Sequence, residues 1–170
     1  MSLIKKIFIN ILIIFILSIT ASYAQEIKKL GKFKDWEALV LVKENEVVCF
    51  AQSKPVLQSP KSKIREARLY VTFRPNDKIT NEISTTSGYE YNSQNSILAK
   101  SGKTKYKFDI AQDSFAWIAD NKTEKKMIKT MKRGSRIMVT GYNQSGSQTI
   151  DHYSLLGFTK AYNEVKKQCT

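Results

Sequence analysis

Alternating apolar and polar residues run through most of the chain, and they predict strands. Ala67, Leu69, Val71 and Phe73 alternate with Arg68, Tyr70, Thr72 and Arg74, giving a half-buried strand stopped by Pro75 and Asn76. Tyr106, Phe108 and Ile110 alternate with Lys105, Lys107 and Asp109 in the same period. Leu39 to Val42 and Val47 to Ala51 flank the polar pair Glu44-Asn45 and read as a hairpin. Ile137 and Val139 follow a break at Gly134-Ser135, and Gly141 is expected to end that strand. Shorter strands are expected at Phe115 to Ala119 and Thr149 to Tyr153, with turns at Asp113-Ser114 and Ser145-Gly146-Ser147. Residues 25–32 read as a flexible polar lead-in.

Two segments have helical spacing instead. Asn121 with Glu124 three residues on resembles a capping box, followed by Met127, Ile128 and Met131 on one face. Gly134 stands where a C′ glycine would stop that helix, and the lysine-rich last turn suits the helix dipole. Phe158, Ala161, Tyr162, Val165 and Cys169 form a single apolar stripe, with Lys160, Asn163, Glu164, Lys166 and Lys167 facing away. Many short strands with two small helices predict a mainly β sandwich or barrel.

The N-terminus changes the picture by adding a compartment. Lys5 and Lys6 precede an apolar run from Ile7 to Ile19, broken only by Asn10 and Ser18, and Ser22 and Ala24 supply small residues before Gln25. That is the pattern of a cleaved secretory signal, residues 1–24. The alternative is an uncleaved anchor, but a spanning helix needs about 20 predominantly apolar residues. No lipobox cysteine is present, and no later segment is apolar enough to span a bilayer. Cleavage leaves 146 of the 170 residues, enough for one domain with a real core. Loss of Lys5 and Lys6 lowers the net charge from +13 to +11, so the exported protein stays basic. Such a balance favours anionic surfaces, although scattered lysines also describe a simple solvated face.

Cys49 and Cys169 are the only cysteines, and an even count in an exported chain reads as a disulfide. A loop of 120 residues closed in this way stabilises the fold by about 5 kcal/mol in the chain-entropy account. Buried free thiols or pairing between chains are the alternatives. With Cys169 on the apolar stripe and Cys49 on a strand, the bridge would staple the last helix to the sheet. There is no Cys-x-x-Cys motif, which argues against thiol catalysis.

A family resemblance emerges from pieces spread over Phe33 to Cys169. They are Asp35-Trp36, Val48-Cys49-Phe50 with Ser53-Lys54-Pro55, Tyr70 to Pro75, Asn81 to Ser84, Gly88-Tyr89 and Ala116-Trp117-Ile118. Met131 to Ser135, Val139-Thr140-Gly141, Asp151 to Leu155, Gly157-Phe158 and the terminal Cys169 complete the series. In this order they resemble the invasion-associated locus B family of exported alphaproteobacterial proteins. The resemblance implies an immunoglobulin-like β-sandwich in the periplasm or at the envelope, without known catalysis. Some members are linked to host-cell invasion, while many relatives come from free-living bacteria. Where relatives often read Gly-Thr before the last strand, this chain has Gly146-Ser147-Gln148-Thr149, which implies a changed turn.

Catalytic chemistry finds little support. Asp151-His152-Tyr153-Ser154 lines up acid, base and hydroxyl, but neighbours on a strand face opposite sides. His152 is the only histidine, so no zinc site, and no other metal or cofactor, is expected. Trp36 and Trp117 read as core aromatics, Trp36 less clearly because it lies near the start. No glycine-rich phosphate loop and no aromatic-interleaved basic strand is present, so no nucleic-acid partner is expected. The expected function is a non-enzymatic periplasmic or envelope binding domain, peripherally attached to the outer membrane or secreted in the alternative. Its basic face would comprise Lys122, Lys125, Lys126, Lys129, Lys132, Arg133 and Arg136, facing an envelope protein or an anionic envelope surface. A small enzyme with a site assembled only in three dimensions, or an envelope assembly factor, is the alternative.

Overall fold

The computed structural model describes residues 26–43, 46–62 and 64–170. The expected signal and the Glu44-Asn45 turn lie outside the described residues. The rest forms strands β1 (Glu26–Phe33), β2 (Trp36–Lys43), β3 (Glu46–Ser53), β4 (Leu57–Ser59), β5 (Arg68–Arg74) and β6 (Ile79–Thr86). β7 (Ile97–Ser101), β8 (Thr104–Phe108), β9 (Ile110–Gln112) and β10 (Phe115–Trp117) lead to helix α1 (Asn121–Arg133). β11 (Arg136–Tyr142), β12 (Gln148–Ser154) and helix α2 (Phe158–Cys169) complete the chain. One sheet has seven strands in the order β1-β2-β3-β5-β6-β10-β9, and the other has five in the order β4-β12-β11-β7-β8. The mainly β sandwich with one internal and one C-terminal helix is therefore the fold.

Period-two patterning decides what lies inside. Trp36, Ala38 and Val40 of β2, Cys49 and Ala51 of β3, and Leu69, Val71 and Phe73 of β5 all point inward and are buried. Ile97, Ala99, Phe108, Ile137, Val139 and Tyr153 meet them from the smaller sheet and share one continuous core. The hairpin of β2 and β3 pairs in unbroken register from Trp36 with Ser53 to Lys43 with Glu46.

Four expectations change. Residues 26–33 are a strand paired with β2, not a lead-in. β1 is an edge strand, so most of its side chains meet water and carry no alternation; its backbone ladder, with Leu30 and Phe33 packed on the core, holds it. The single strand expected from Tyr106 to Ile110 is interrupted at Asp109, where the chain leaves the five-stranded sheet and joins the seven-stranded one. Gly141 continues β11 instead of ending it. A Cβ there would come within 2.8 Å of Tyr91 and 2.9 Å of the Tyr89 hydroxyl, so the glycine makes room for two rings.

The cap of α1 is the fourth change. Asp120, not Asn121, caps the helix: its carboxylate accepts from the Thr123 N–H at 2.8 Å and the Lys122 N–H at 3.2 Å. That frame puts Glu124 one residue too late for a capping box, and its side chain turns inward. Gly134 accordingly is extended, with its N–H bonded to the Thr130 carbonyl, and takes no left-handed turn.

α2 lies on β1, β2, β3 and β5, and its predicted stripe is the buried one: Phe158, Ala161, Tyr162, Val165 and Cys169. The Phe158 ring meets Trp36 edge-on at 4.8 Å, and Tyr162 meets Phe73 at 5.6 Å. Cys49 and Cys169 are bonded, with Cα atoms 6.0 Å apart. Gly157 starts the helix with φ +92°, and a Cβ there would fall 1.7 Å from the Phe33 carbonyl oxygen. Only glycine lets the helix approach the β1–β2 turn this closely. Denaturant melts should show the Cys49→Ala/Cys169→Ala pair destabilised by about 2 to 5 kcal/mol. Gly157→Ala should cost about 2 kcal/mol or more in the same melts, through both backbone strain and the carbonyl contact.

Candidate functional site

Spacing of three and four residues puts Lys122, Lys125, Lys126, Lys129 and Arg133 along the exposed side of α1. The apolar positions Met127, Ile128 and Met131 occupy the opposite side and are buried. Among the described residues, none of these five cations makes an ion pair. Lys132 leaves the stripe: its ammonium sits 3.8 Å from the centre of the Tyr162 ring on α2. Burial holds its pKa below the ordinary lysine value, and the nearby Lys166 charge adds to this. Arg136 lies beyond the helix, exposed at the start of β11. The structure thus gathers five of the seven expected basic residues on one helix face and sets Lys132 against Tyr162 of α2 instead.

A second feature was not visible in the sequence. Glu124, on the inner side of α1, is 4% exposed and accepts the Ile83 N–H at 2.9 Å. The nearby Ile118 N–H bonds the Ile83 carbonyl, so the carboxyl extends the hydrogen bonding of β6 where β10 runs out. Burial raises its pKa from 4.5 to about 7; the Ile83 N–H pulls the other way, and the charges of Glu82 and Asp120 push it up further. Glu124 borders a cleft of about 440 Å³ with Trp117, Arg74 and Glu82. Arg74 is already held by Glu82 at 2.6 Å and Asp77 at 3.2 Å, so the cleft offers a protonatable carboxyl beside an aromatic ring.

Asp151 and His152 point to opposite sides of β12, as strand geometry requires. Asp151 is fully buried, and both its oxygens are taken by the Arg65 guanidinium at 2.6 and 3.0 Å. Arg65 also donates to the Ser87 carbonyl at 2.8 Å and lies over the Tyr89 ring. This bidentate pair leaves Asp151 no free oxygen for acid–base chemistry. Arg65 could not be found from sequence, because its partner is 86 residues away and no local spacing links them. Of the two tryptophans expected in the core, Trp36 lies there and Trp117 does not. Trp36 is fully buried and its Nε1 donates to the Ser154 carbonyl at 2.8 Å. Trp117 is half-buried on the outer face of the larger sheet, stacked on Phe115 at 5.8 Å.

Two stability measurements test these buried groups. Folded Glu124 keeps its proton to higher pH than it does unfolded, so its contribution to stability falls as pH rises from 4.5 to about 7. Glu124→Gln should remove that fall, making the variant about 1 to 2 kcal/mol more stable than wild type above pH 7, relative to their difference near pH 4.5. Asp151→Ala should cost about 3 to 5 kcal/mol in denaturant melts, because Arg65 is left buried without its partner.

Comparison with known proteins places this architecture. No curated protein matches the chain. The crystal structure of invasion associated protein B from Bartonella henselae matches over 83% of this chain and 97% of that one, with a TM-score of 0.56 and 12% identity, a likeness of fold alone. The model of the Invasion associated locus B (IalB) protein family matches residues 36–166, from the buried Trp36 to the last turn of α2. The chain belongs to the invasion associated locus B family.

Proposed function

We propose that this protein is a non-enzymatic, exported binding domain of the cell envelope, periplasmic after removal of residues 1–24, that holds an anionic envelope component on its basic surface. The observation that carries this reading is the stripe of Lys122, Lys125, Lys126, Lys129 and Arg133, unpaired among the described residues. Like charges three and four residues apart on a helix repel one another by a few tenths of a kcal/mol per pair. An anionic partner reverses the sign of that term, and neighbouring charges add. Lys166 and Lys167 in the last turn of α2 extend the positive field without a carboxylate between them. The apolar underside of α1 is fixed on the core, which leaves the stripe preorganised for a surface rather than for folding. The burial of Asp151 on Arg65, on the opposite side of β12 from His152, weighs in the same direction. The exported protein should be retained on lipopolysaccharide or anionic liposomes at low ionic strength and largely released by about 0.5 M salt, where the Debye length has fallen to several ångströms. The Lys122→Gln/Lys125→Gln/Lys129→Gln variant should bind at least tenfold more weakly at low salt; unchanged retention would count against the reading.

A further inference from the structure

Eight large apolar side chains are exposed among the described residues, and four of them gather at one end of the sandwich. Ile64 is 94% exposed, Leu156 60% and Val56 56%, and Leu57 accompanies them. They come from the β3–β4 linker, β4, the loop after it and the β12–α2 turn. Three adjoining depressions connect them. One, of about 600 Å³, lies between Phe33, Leu156 and the lysines Lys32, Lys34 and Lys160. The next, about 470 Å³, shares Lys32 and Lys34 and reaches Lys54 and Val56. The third, about 350 Å³, shares Lys54 and Val56 and ends at Lys61 and Ile64.

This end is held open by its own hydrogen bonds. The Asp35 N–H bonds the Leu156 carbonyl at 3.3 Å, and the Val56 N–H bonds the His152 carbonyl at 2.7 Å. Gln58 grips both backbone groups of Arg65, at 2.8 and 3.0 Å, while the Arg65 side chain is locked between the sheets on Asp151. Ile64 directly precedes this anchored residue and has its side chain 94% exposed. An apolar group fixed in water beside lysines is unfavourable for an isolated molecule and marks a contact surface.

The charge pattern selects the occupant. Lys32, Lys34, Lys54, Lys61 and Lys160 surround the apolar groups and are exposed. Of the acids at this end, Glu37 is held by Lys29 at 2.6 Å and Glu66 by Arg68 at 2.8 Å, while Asp35 has no ion pair among the described residues. A protein groove would need acids facing five separate lysines. A bilayer with phosphate headgroups provides a continuous negative plane for the ammonium groups and an acyl boundary for the side chains between them. We infer that this end of the sandwich docks on an anionic lipid bilayer, with Ile64, Leu156 and Val56 entering the headgroup boundary and the lysines resting on phosphates. The inference goes beyond the α1 surface proposed above and uses none of its residues.

Vesicles separate the two. The exported protein is sedimented with vesicles of phosphatidylcholine alone or with a third of phosphatidylglycerol, at 0.05 and 0.5 M salt. Apolar insertion is not screened, so residual binding to the anionic vesicles should persist at 0.5 M salt. Val56→Ser/Ile64→Ser/Leu156→Ser changes only exposed side chains and should lose that residual binding about thirtyfold or more. Neutralising Lys34, Lys54 or Lys160 should cost about fivefold each at low salt. The α1 triple variant should keep the high-salt component. Binding that vanishes entirely at 0.5 M salt, or survives the serine substitutions, overturns the inference and leaves the α1 reading standing. An α1 triple variant that binds like the wild type at both salt concentrations overturns the α1 reading instead.

Discussion

The close approach of α2 to the β1–β2 turn is the constraint on which the rest of this molecule depends. On this side the larger sheet is covered by a helix, so its inner residues Trp36, Cys49 and Phe73 stay dry only if α2 lies flat on them. Gly157 permits that contact at the start of the helix and the Cys49–Cys169 bond secures it at the end. Between them, five apolar side chains are buried, each worth roughly 1.5 to 3 kcal/mol for the larger ones. Both ends of the helix are thus fixed by backbone or covalent geometry, and the packing between them follows.

Buried polar groups secure the other junctions by a different logic. Arg65 and Asp151 are charged, matched in shape and closed on one another, tying an otherwise exposed loop to the space between the sheets. Glu124 serves a backbone donor at a strand end and, among the described residues, makes no ion pair, so the same burial that positions α1 also raises its pKa. The two junctions differ in what faces the buried carboxyl: a guanidinium for Asp151, a backbone N–H for Glu124.

Much of the fold was legible because period and burial agree. The β2–β3 hairpin, β5, β12 and the stripe of α2 all follow from alternation or helical spacing, and the stripe placed Cys169 toward the sheet that carries Cys49. The errors have local causes. β1 is polar because it is an edge; the cap of α1 slid by one residue because Asp120 and Asn121 are both good caps; and the switch between sheets at Asp109 leaves the alternation of Tyr106 to Ile110 undisturbed. The site was less legible. The lysines of α1 could be read from spacing, whereas Arg65–Asp151 and Glu124–Ile83 join residues 86 and 41 positions apart. The apolar end was hidden for a related reason, since its members come from separate turns and share no period.

β1 has a further consequence. Among the described residues it leaves one long margin of the larger sheet with open hydrogen-bonding groups, the kind of margin on which a second chain can add a strand. Its ladder with β2 shifts register between Lys29 and Gly31, and Lys28, Lys29 and Lys32 project from it. A kinked margin studded with ammonium groups repels its own copy. Positive charge along this edge therefore works against strand addition between copies of the chain.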